Sequence, residues 1–311
     1  MKSNIFKSTM GSLVCGASLL MAVAGCTPDA KNGELGPLPK ANFETAPGPN
    51  ANTVILVNKT DQGGIPYWKW QLGVASGTLK GDSAKLYLPF AGVYDVQLIT
   101  TARGGIDSIT KSVTIATSDP TACAPTTLLG FIAGCTSKTW KLNPEAGTYK
   151  VGEGPDMGNW WSSGAGDVTG RACEFNDEYT FYFNAEAEFK YDNKGDYYAD
   201  GYIGAATYGC EPNSNLSGAQ AAWASGNFNF TVTENAGVRG LGQLRLIGRG
   251  AHIGLQKVHN GGETTSGPSG NAIVYDVLER STNVNGQGYD IIKLGLNIGG
   301  SGWWTFTLRS Y

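Results

Sequence analysis

From about residue 50 onward the chain is written in short alternating apolar runs, each closed by Gly, Asp or Asn, a rhythm that admits strands and little else. In the first part these runs are Thr53–Val57, Tyr67–Leu72, Ala84–Leu88, Val93–Thr100 and Ser108–Ile115. In the second they are Tyr179–Phe183, Glu188–Tyr191, Phe228–Thr233, Gln243–Ile247, Ala272–Leu278, Ile291–Leu296 and Trp303–Leu308. No segment past the N-terminal region keeps a helical apolar period for three turns, and Gly218–Ala224 comes nearest, with one turn or two. Gly at 45 of 311 residues is about twice the usual ~7 %, as many tight turns require. The chain is therefore expected to be all-β: an N-terminal immunoglobulin-like sandwich, then a larger antiparallel β-sandwich of jelly-roll type.

The N-terminus follows a different grammar. Lys2 and Lys7 precede an apolar stretch, Met10–Gly25, that ends in small residues, as an export signal does. Val23-Ala24-Gly25-Cys26 resembles the bacterial lipobox, which implies removal of residues 1–25 and acylation of Cys26. More than one acyl chain anchors a protein stably to a membrane. Residues 26–41 are polar and rich in Pro and Gly, a lipidated tether without a core. Removing Lys2 and Lys7 from the 23 basic residues leaves 21 against 26 acidic ones, so nothing in the charge attracts nucleic acid.

Four cysteines then remain, Cys123, Cys135, Cys173 and Cys210, an even number in an exported chain and hence candidates for disulfides. Of the three possible pairings, Cys123 with Cys135 and Cys173 with Cys210 is favoured, since each pair lies within one stretch of the larger unit. No C-x-x-C spacing suggests zinc. Ser118–Pro125 contains Pro120 and Pro125 and reads as a break between units, giving 42–118 for the first, 119–125 for a linker and 126–311 for the second.

Trp70-Gln71-Leu72-Gly73 followed by Gly92-Val93-Tyr94-Asp95-Val96-Gln97-Leu98 resembles the PKD (polycystic kidney disease) domain. That family places a core Trp in a W-D-F-G-D-G run before a G-x-Y-x-V-x-L strand. Gln71, Leu72, Val74 and Ala75 depart from the first part of the pattern, and the second part is intact. The resemblance implies a spacer that holds a further module away from the membrane.

The chemistry-bearing residues lie in the second unit. Neighbours on a strand face opposite ways, so if Trp304, Phe306 and Leu308 point inward, Trp303, Thr305 and Thr307 point outward. Trp160 and Trp161 fall in Gly152–Gly170, read as a loop. An exposed indole stacks on the apolar face of a pyranose ring while planar polar groups bind its hydroxyls. The alternative is that each Trp pair is buried between layers. Gly248–Gly262 adds Gln256, Lys257, His259 and Asn260, able to line the same cleft, with structural hydrogen bonding as the other reading; His252 and His259 with Glu263 make only a weak metal set. The candidate glycan-binding residues are thus Trp160, Trp161, Trp303, Gln256, Lys257, His259 and Asn260.

Two acidic clusters stand beside these. A strand through residues 174–178 places Glu174, Asn176 and Glu178 on one face, resembling the E-x-D-x-E strand of laminarinase-like glycoside hydrolases with Asn in the middle position. On that alternative Glu174 and Glu178 are the paired catalytic carboxylates. Asp192-Asn193-Lys194-Gly195 reads as a hairpin turn, and Asp192, Asp196 and Asp200 offer oxygen ligands to calcium; a solvated turn is the other reading, and no cofactor is required.

Gly134–Trp140, Arg171–Phe183, Gly250–Gly262 and Gly302–Leu308 together resemble the glycan-associated module that follows PKD domains in Bacteroidota surface lipoproteins. That resemblance implies an outer-membrane, cell-surface lipoprotein of a polysaccharide-utilisation system with SusC/SusD-type transporters as partners. Its ligand would be a polysaccharide, often a β-glucan such as laminarin. The resulting expectation is non-catalytic glycan capture, with a hydrolase or an adhesive lipoprotein as alternatives.

Overall fold

The computed structural model describes residues 36–61, 63–72, 75–200 and 208–311. Cys26, most of the tether, and Gly73 and Val74 of the Trp70 run lie outside the described residues. Among the described residues no helix is long and apolar enough to cross a membrane.

Strands dominate, as the alternating runs require. The first unit contains β1 (Phe43–Pro47), β2 (Thr53–Asn58), β3 (Ile65–Leu72), β4 (Ala75–Lys80), β5 (Ser83–Tyr87), β6 (Gly92–Ala102) and β7 (Gly105–Ile115). They form two antiparallel sheets, β1-β2-β5 and β4-β3-β6-β7, closed over Phe43, Leu56, Trp68, Leu86, Tyr94 and Leu98. Tyr94, in the G-x-Y strand, is buried and donates its hydroxyl to the Phe90 carbonyl (2.8 Å), the strand-corner bond of immunoglobulin-like sandwiches. The core tryptophan is Trp68, not Trp70. Trp68 is fully buried with its indole N–H on the Gly81 carbonyl (2.8 Å), whereas Trp70, two residues along the same face, is half-buried.

Turns across residues 119–127 lead into α1 (Leu128–Ala133), a six-residue helix capped by the Thr127 hydroxyl on the Gly130 N–H (3.0 Å). The second unit continues with β8 (Ser137–Leu142), β9 (Tyr149–Gly152), β10 (Trp161–Ser162), α2 (Ala165–Gly170), α3 (Ala172–Phe175), β11 (Glu178–Tyr182), β12 (Glu188–Asp192), β13 (Asp196–Asp200) and β14 (Tyr208–Pro212). Then come β15 (Gly226–Thr233), β16 (Gln243–Ile247), β17 (Val258–His259), β18 (Gly262–Glu263), β19 (Ala272–Ser281), β20 (Ile291–Gly299) and β21 (Gly302–Ser310). Gly218–Trp223 forms the short helical turn expected there, of 3₁₀ type.

The expected order of two antiparallel β units is what the chain forms. The connectivity of the larger one is simpler than a jelly roll. Its strands pair with their neighbours in the order β8-β11-β12-β15-β16-β19-β20-β21, and β21 pairs antiparallel with β8, closing the sheet on itself. An even number of strands lets such a meander close with every pair antiparallel. β21 shares its second edge between two partners, β9 along Trp303–Phe306 and β8 along Leu308–Ser310.

The interior is aromatic. Tyr179 stacks on Tyr191 (5.4 Å between ring centroids), Phe181 on Phe189 (4.8 Å), and Phe230 meets Phe181 edge-on (5.0 Å). The segment around residues 251–258, read from sequence as a polar cleft wall, instead plugs this interior with Ala251, His252, Ile253, Leu255 and Val258 all buried. Its backbone is satisfied by tyrosine hydroxyls: Tyr275 accepts from Ile253 N–H (2.9 Å), and Tyr179 accepts from Gly254 N–H (3.1 Å). Gly254 has φ +74°, and a Cβ there would lie 2.3 Å from the Phe306 ring, so only glycine threads this point. His252 bonds through Nδ1 to the Gly250 carbonyl (2.7 Å), so Nδ1 carries the proton, and burial lowers its pKa to about 4.

Two local expectations fail for identifiable reasons. Residues 174–178 are not a strand: Glu174 ends up in α3 and only Glu178 joins β11. Asp192–Gly195 is not a hairpin, because β12 pairs with β11 and β15 while β13 pairs with β14. Lys194 and Gly195 do adopt left-handed backbone (φ 56° and 95°), but the buried Asn193 side chain bonds Asn213 (2.7 Å) and Ser225 (2.7 Å) and draws the chain out of the sheet.

Candidate functional site

The two favoured disulfides form, Cys123–Cys135 and Cys173–Cys210. The second fastens α3 to β14 and so carries the β13-β14 pair to one end of the barrel. There a cleft of about 330 Å³ opens, lined by Tyr149, Val151, Trp161, Asp167, Arg171, Tyr198, Asp200, Tyr208, Leu255 and Trp304. Each element supplies one part: β10 brings Trp161, α2 and its junction with α3 bring Asp167 and Arg171, β13 brings Tyr198 and Asp200, and β21 brings Trp304.

Trp161 is 39 % exposed and meets the buried Trp304 edge-on, with ring centroids 6.1 Å apart. Tyr208 stands at the mouth, 73 % exposed. Behind the rings runs an unbroken chain of polar contacts. The Trp304 indole N–H donates to Glu263 (2.7 Å), Glu263 pairs with Lys257 (3.1 Å), and Lys257 pairs with Asp200 (3.5 Å). Asp200 takes Arg171 (3.3 Å), Arg171 takes Glu174 (2.5 Å), and the Tyr149 hydroxyl donates to Glu174 (3.2 Å). Since β21 pairs with β9, which carries Tyr149, this chain is closed into a frame around the cleft.

Arg171 is held on every side. Its guanidinium lies 3.9 Å from the Tyr198 ring centre and 5.5 Å from that of Tyr149, so a flat cation is pinned between flat rings. Burial raises the Glu174 carboxyl, with Arg171 opposing, while the carboxylate charge in turn raises Arg171. Nearby Asp177 is buried and pushed well above the usual carboxylate range by that burial; the Tyr191 hydroxyl bonds one of its oxygens (2.8 Å).

Of the residues singled out in sequence, Trp161 lines this cleft and Lys257 stands directly behind Trp304, 5.7 Å from its ring centre. Trp160, 51 % exposed, neighbours Trp161 but is not among the lining residues. Trp303 lies on the other face of β21, half-buried. Thr305 and Thr307 share that face but are covered, Thr305 by the Asp156 N–H (2.9 Å), because the loop after β9 folds over them. Gln256 is buried and reaches the Tyr198 carbonyl (3.5 Å). His259 bonds the Asn260 carbonyl (3.0 Å), and the Asn260 amide pairs with both backbone groups of Val274 (2.8 Å each), so these side chains are committed within the protein.

The paired-carboxylate geometry of a glycosidase is not formed by Glu174 and Glu178. Glu174 points into the frame, while Glu178 points outward from β11 to Lys141 (3.0 Å) and Lys194 (2.7 Å), which hold its carboxyl below the usual range. The calcium set disperses as well. Asp192 pairs with Lys194 (3.2 Å), Asp200 with Arg171 and Lys257, and among the described residues no group of three His, Cys, Asp or Glu is placed to hold a metal ion.

Sequence reasoning missed Arg171, Asp167 and Tyr208 as neighbours of Trp161. The available signal was the Cys173–Cys210 pairing, which places residues beside 173 next to residues beside 210. A larger hollow of about 820 Å³ lies between the two units; among its lining residues Trp70 is the only aromatic one.

No family model and no curated protein matches the chain. Among solved structures it is similar to the PKD1 domain of Vibrio anguillarum Epp (23 % identity, 26 % of this chain, 95 % of that one, TM-score 0.22). The PKD1 domain of the Vibrio cholerae metalloprotease PrtV is similar at 24 % identity over 26 % of this chain and 99 % of that one, TM-score 0.22. A carbohydrate-binding module from the β-sandwich superfamily is similar at 13 % identity over 88 % of this chain and 91 % of that one, TM-score 0.22.

Proposed function

We propose that the protein is a non-catalytic glycan-binding lipoprotein, tethered through Cys26 at the cell surface, whose barrel-end cleft holds part of a polysaccharide chain. The observation that carries this reading is the cleft itself. It presents a partly exposed indole, Trp161, beside Trp304, with Tyr198, Tyr208, Arg171 and two carboxylates within one small hollow. Apolar ring faces interleaved with planar polar groups suit a sugar, whose own faces are apolar and whose rim is hydroxylated. The cleft volume of about 330 Å³ is at the small end of the usual range for ligand pockets, so a short part of a longer chain is engaged at a time. Each such contact exchanges water hydrogen bonds for similar ones and is weak; many tethered copies compensate through effective concentration.

A β-glucan such as laminarin is the ligand class that the family resemblance implies, and a SusC/SusD-type transporter complex the corresponding partner. Native affinity electrophoresis against a panel of polysaccharides tests the reading. Retardation by one or more glycans, reduced at least tenfold in apparent affinity by Trp161→Ala, is the expected result. No retardation on any glycan overturns it in favour of an adhesive protein, and sustained release of reducing ends from the retained glycan overturns the non-catalytic part.

A further inference from the structure

The frame around the cleft has a consequence for charge that depends on no resemblance. Among the described residues two cationic side chains belong to it, Arg171 and Lys257, and each is already paired with two carboxylates. Arg171 spends Nε and one terminal nitrogen on Glu174 (2.5 and 3.2 Å) and the other terminal nitrogen on Asp200 (3.3 Å). Lys257 is shared between Asp200 (3.5 Å) and Glu263 (3.1 Å). Against these stand four carboxyl groups, Asp167, Glu174, Asp200 and Glu263. The balance is negative even if Glu174 keeps its proton.

A sugar carboxylate or sulfate brought here meets only cations already neutralised by carboxylates and lies within a Debye length of at least three carboxylates. Recognition of such anions rests on Arg or Lys able to turn toward them, and taking an anion out of water without such a partner is costly. We propose that Asp200 and Glu263 are specificity-determining residues: by holding both cations of the cleft, they make it accept uncharged glycan and reject sugars that carry carboxylate or sulfate. The inference rests on the glycan-binding reading and sharpens its ligand class.

The test is affinity electrophoresis of the full chain at one fixed ionic strength through gels containing laminarin or polygalacturonate. The wild type is expected to be retarded by laminarin and to run freely through polygalacturonate. Asp200→Asn, which releases a partner of both cations, is expected to gain at least severalfold retardation by polygalacturonate, and Glu263→Gln a smaller gain through Lys257 alone. Asp167→Asn removes the same unit of charge from the cleft wall without freeing a cation, and its gain is expected to be the smallest. Should Asp200→Asn fail to fold, Glu263→Gln against Asp167→Asn carries the comparison. Retardation of the wild type by polygalacturonate overturns the proposal, and so do gains no larger than that of Asp167→Asn in folded variants. Free migration of the wild type through both gels and through every other polysaccharide of the panel is a separate result, which removes the glycan-binding reading together with this one.

Discussion

The two β units differ in whether their aromatic side chains reach the surface together. In the first, Trp68 is sealed between two sheets and the exposed apolar side chains are mostly aliphatic, Ile65, Val93 and Ile106. In the barrel, an equally aromatic interior extends to the surface at one end, where Trp161, Tyr198, Tyr208 and Trp304 gather about charged groups. The largest hollow is not the more informative one: at about 820 Å³ between the units, it is walled chiefly by hydroxyls, amides and scattered charges. What distinguishes the barrel-end cleft is its arrangement of rings and paired charges, not volume.

The contrast can be broken most forcefully at the two cores. Trp68→Ala is expected to destabilise the first unit by about 3–5 kcal/mol, measured by denaturant unfolding, while glycan retardation of the folded fraction persists. Loss of retardation in that folded fraction would mean that the first unit takes part in binding. At the barrel, opening Cys173–Cys210 by a double Ser substitution releases a 37-residue separation, with an expected loss of about 4 kcal/mol on the chain-entropy estimate. Glycan affinity should fall with it, because α3 and β14 then lose their fixed spacing; an undiminished affinity would place the site elsewhere.

A third effect is confined to the barrel and depends on pH. The folded pKa of His252 lies near 4, below its unfolded value of about 6.5, so the unfolded chain takes up the proton first as pH falls. The contribution of this neutral ring is intact above pH 6.5 and declines toward pH 4, by about 3 kcal/mol in all. Asp177, raised by burial, acts with the opposite sign, since the folded state retains its proton as pH rises. The clean measurement is therefore the difference between wild type and His252→Gln: the variant's stability should fall less between pH 7 and pH 4, and equal slopes would refute the assignment. The smallest effect is expected at Glu178→Gln, which severs partly exposed pairs with Lys141 and Lys194 and should cost less than about 1 kcal/mol with no change in retardation.

Alternation made much of this fold legible. The run around Trp304, Phe306 and Leu308 is inward on β21 as its period requires, and Tyr94 sits where the G-x-Y strand puts it. Closure of the barrel was not legible, because it depends on β21 dividing one edge between β8 and β9, a matter of lengths and angles rather than of residue type. The burial of the plug around His252 is not legible, since its glycines and polar residues imitate a surface loop. Its backbone is sheltered by hydroxyls of Tyr179 and Tyr275 from distant strands. Asp200 shows the same limitation at the site: counted among neighbouring acids it suggests a cation ligand, yet its partners are Arg171 and Lys257, remote in the chain.

The pairing of β21 with β8 also bears on how copies of the chain meet one another. An open meander of this length would offer two long rows of unpaired amides to any identical neighbour, and crowded copies would zip together side by side. With those rows joined to each other, the larger unit presents side chains, not backbone, around most of its girth. Were the protein tethered as proposed, many copies could stand close together on one membrane while each kept its own mouth clear.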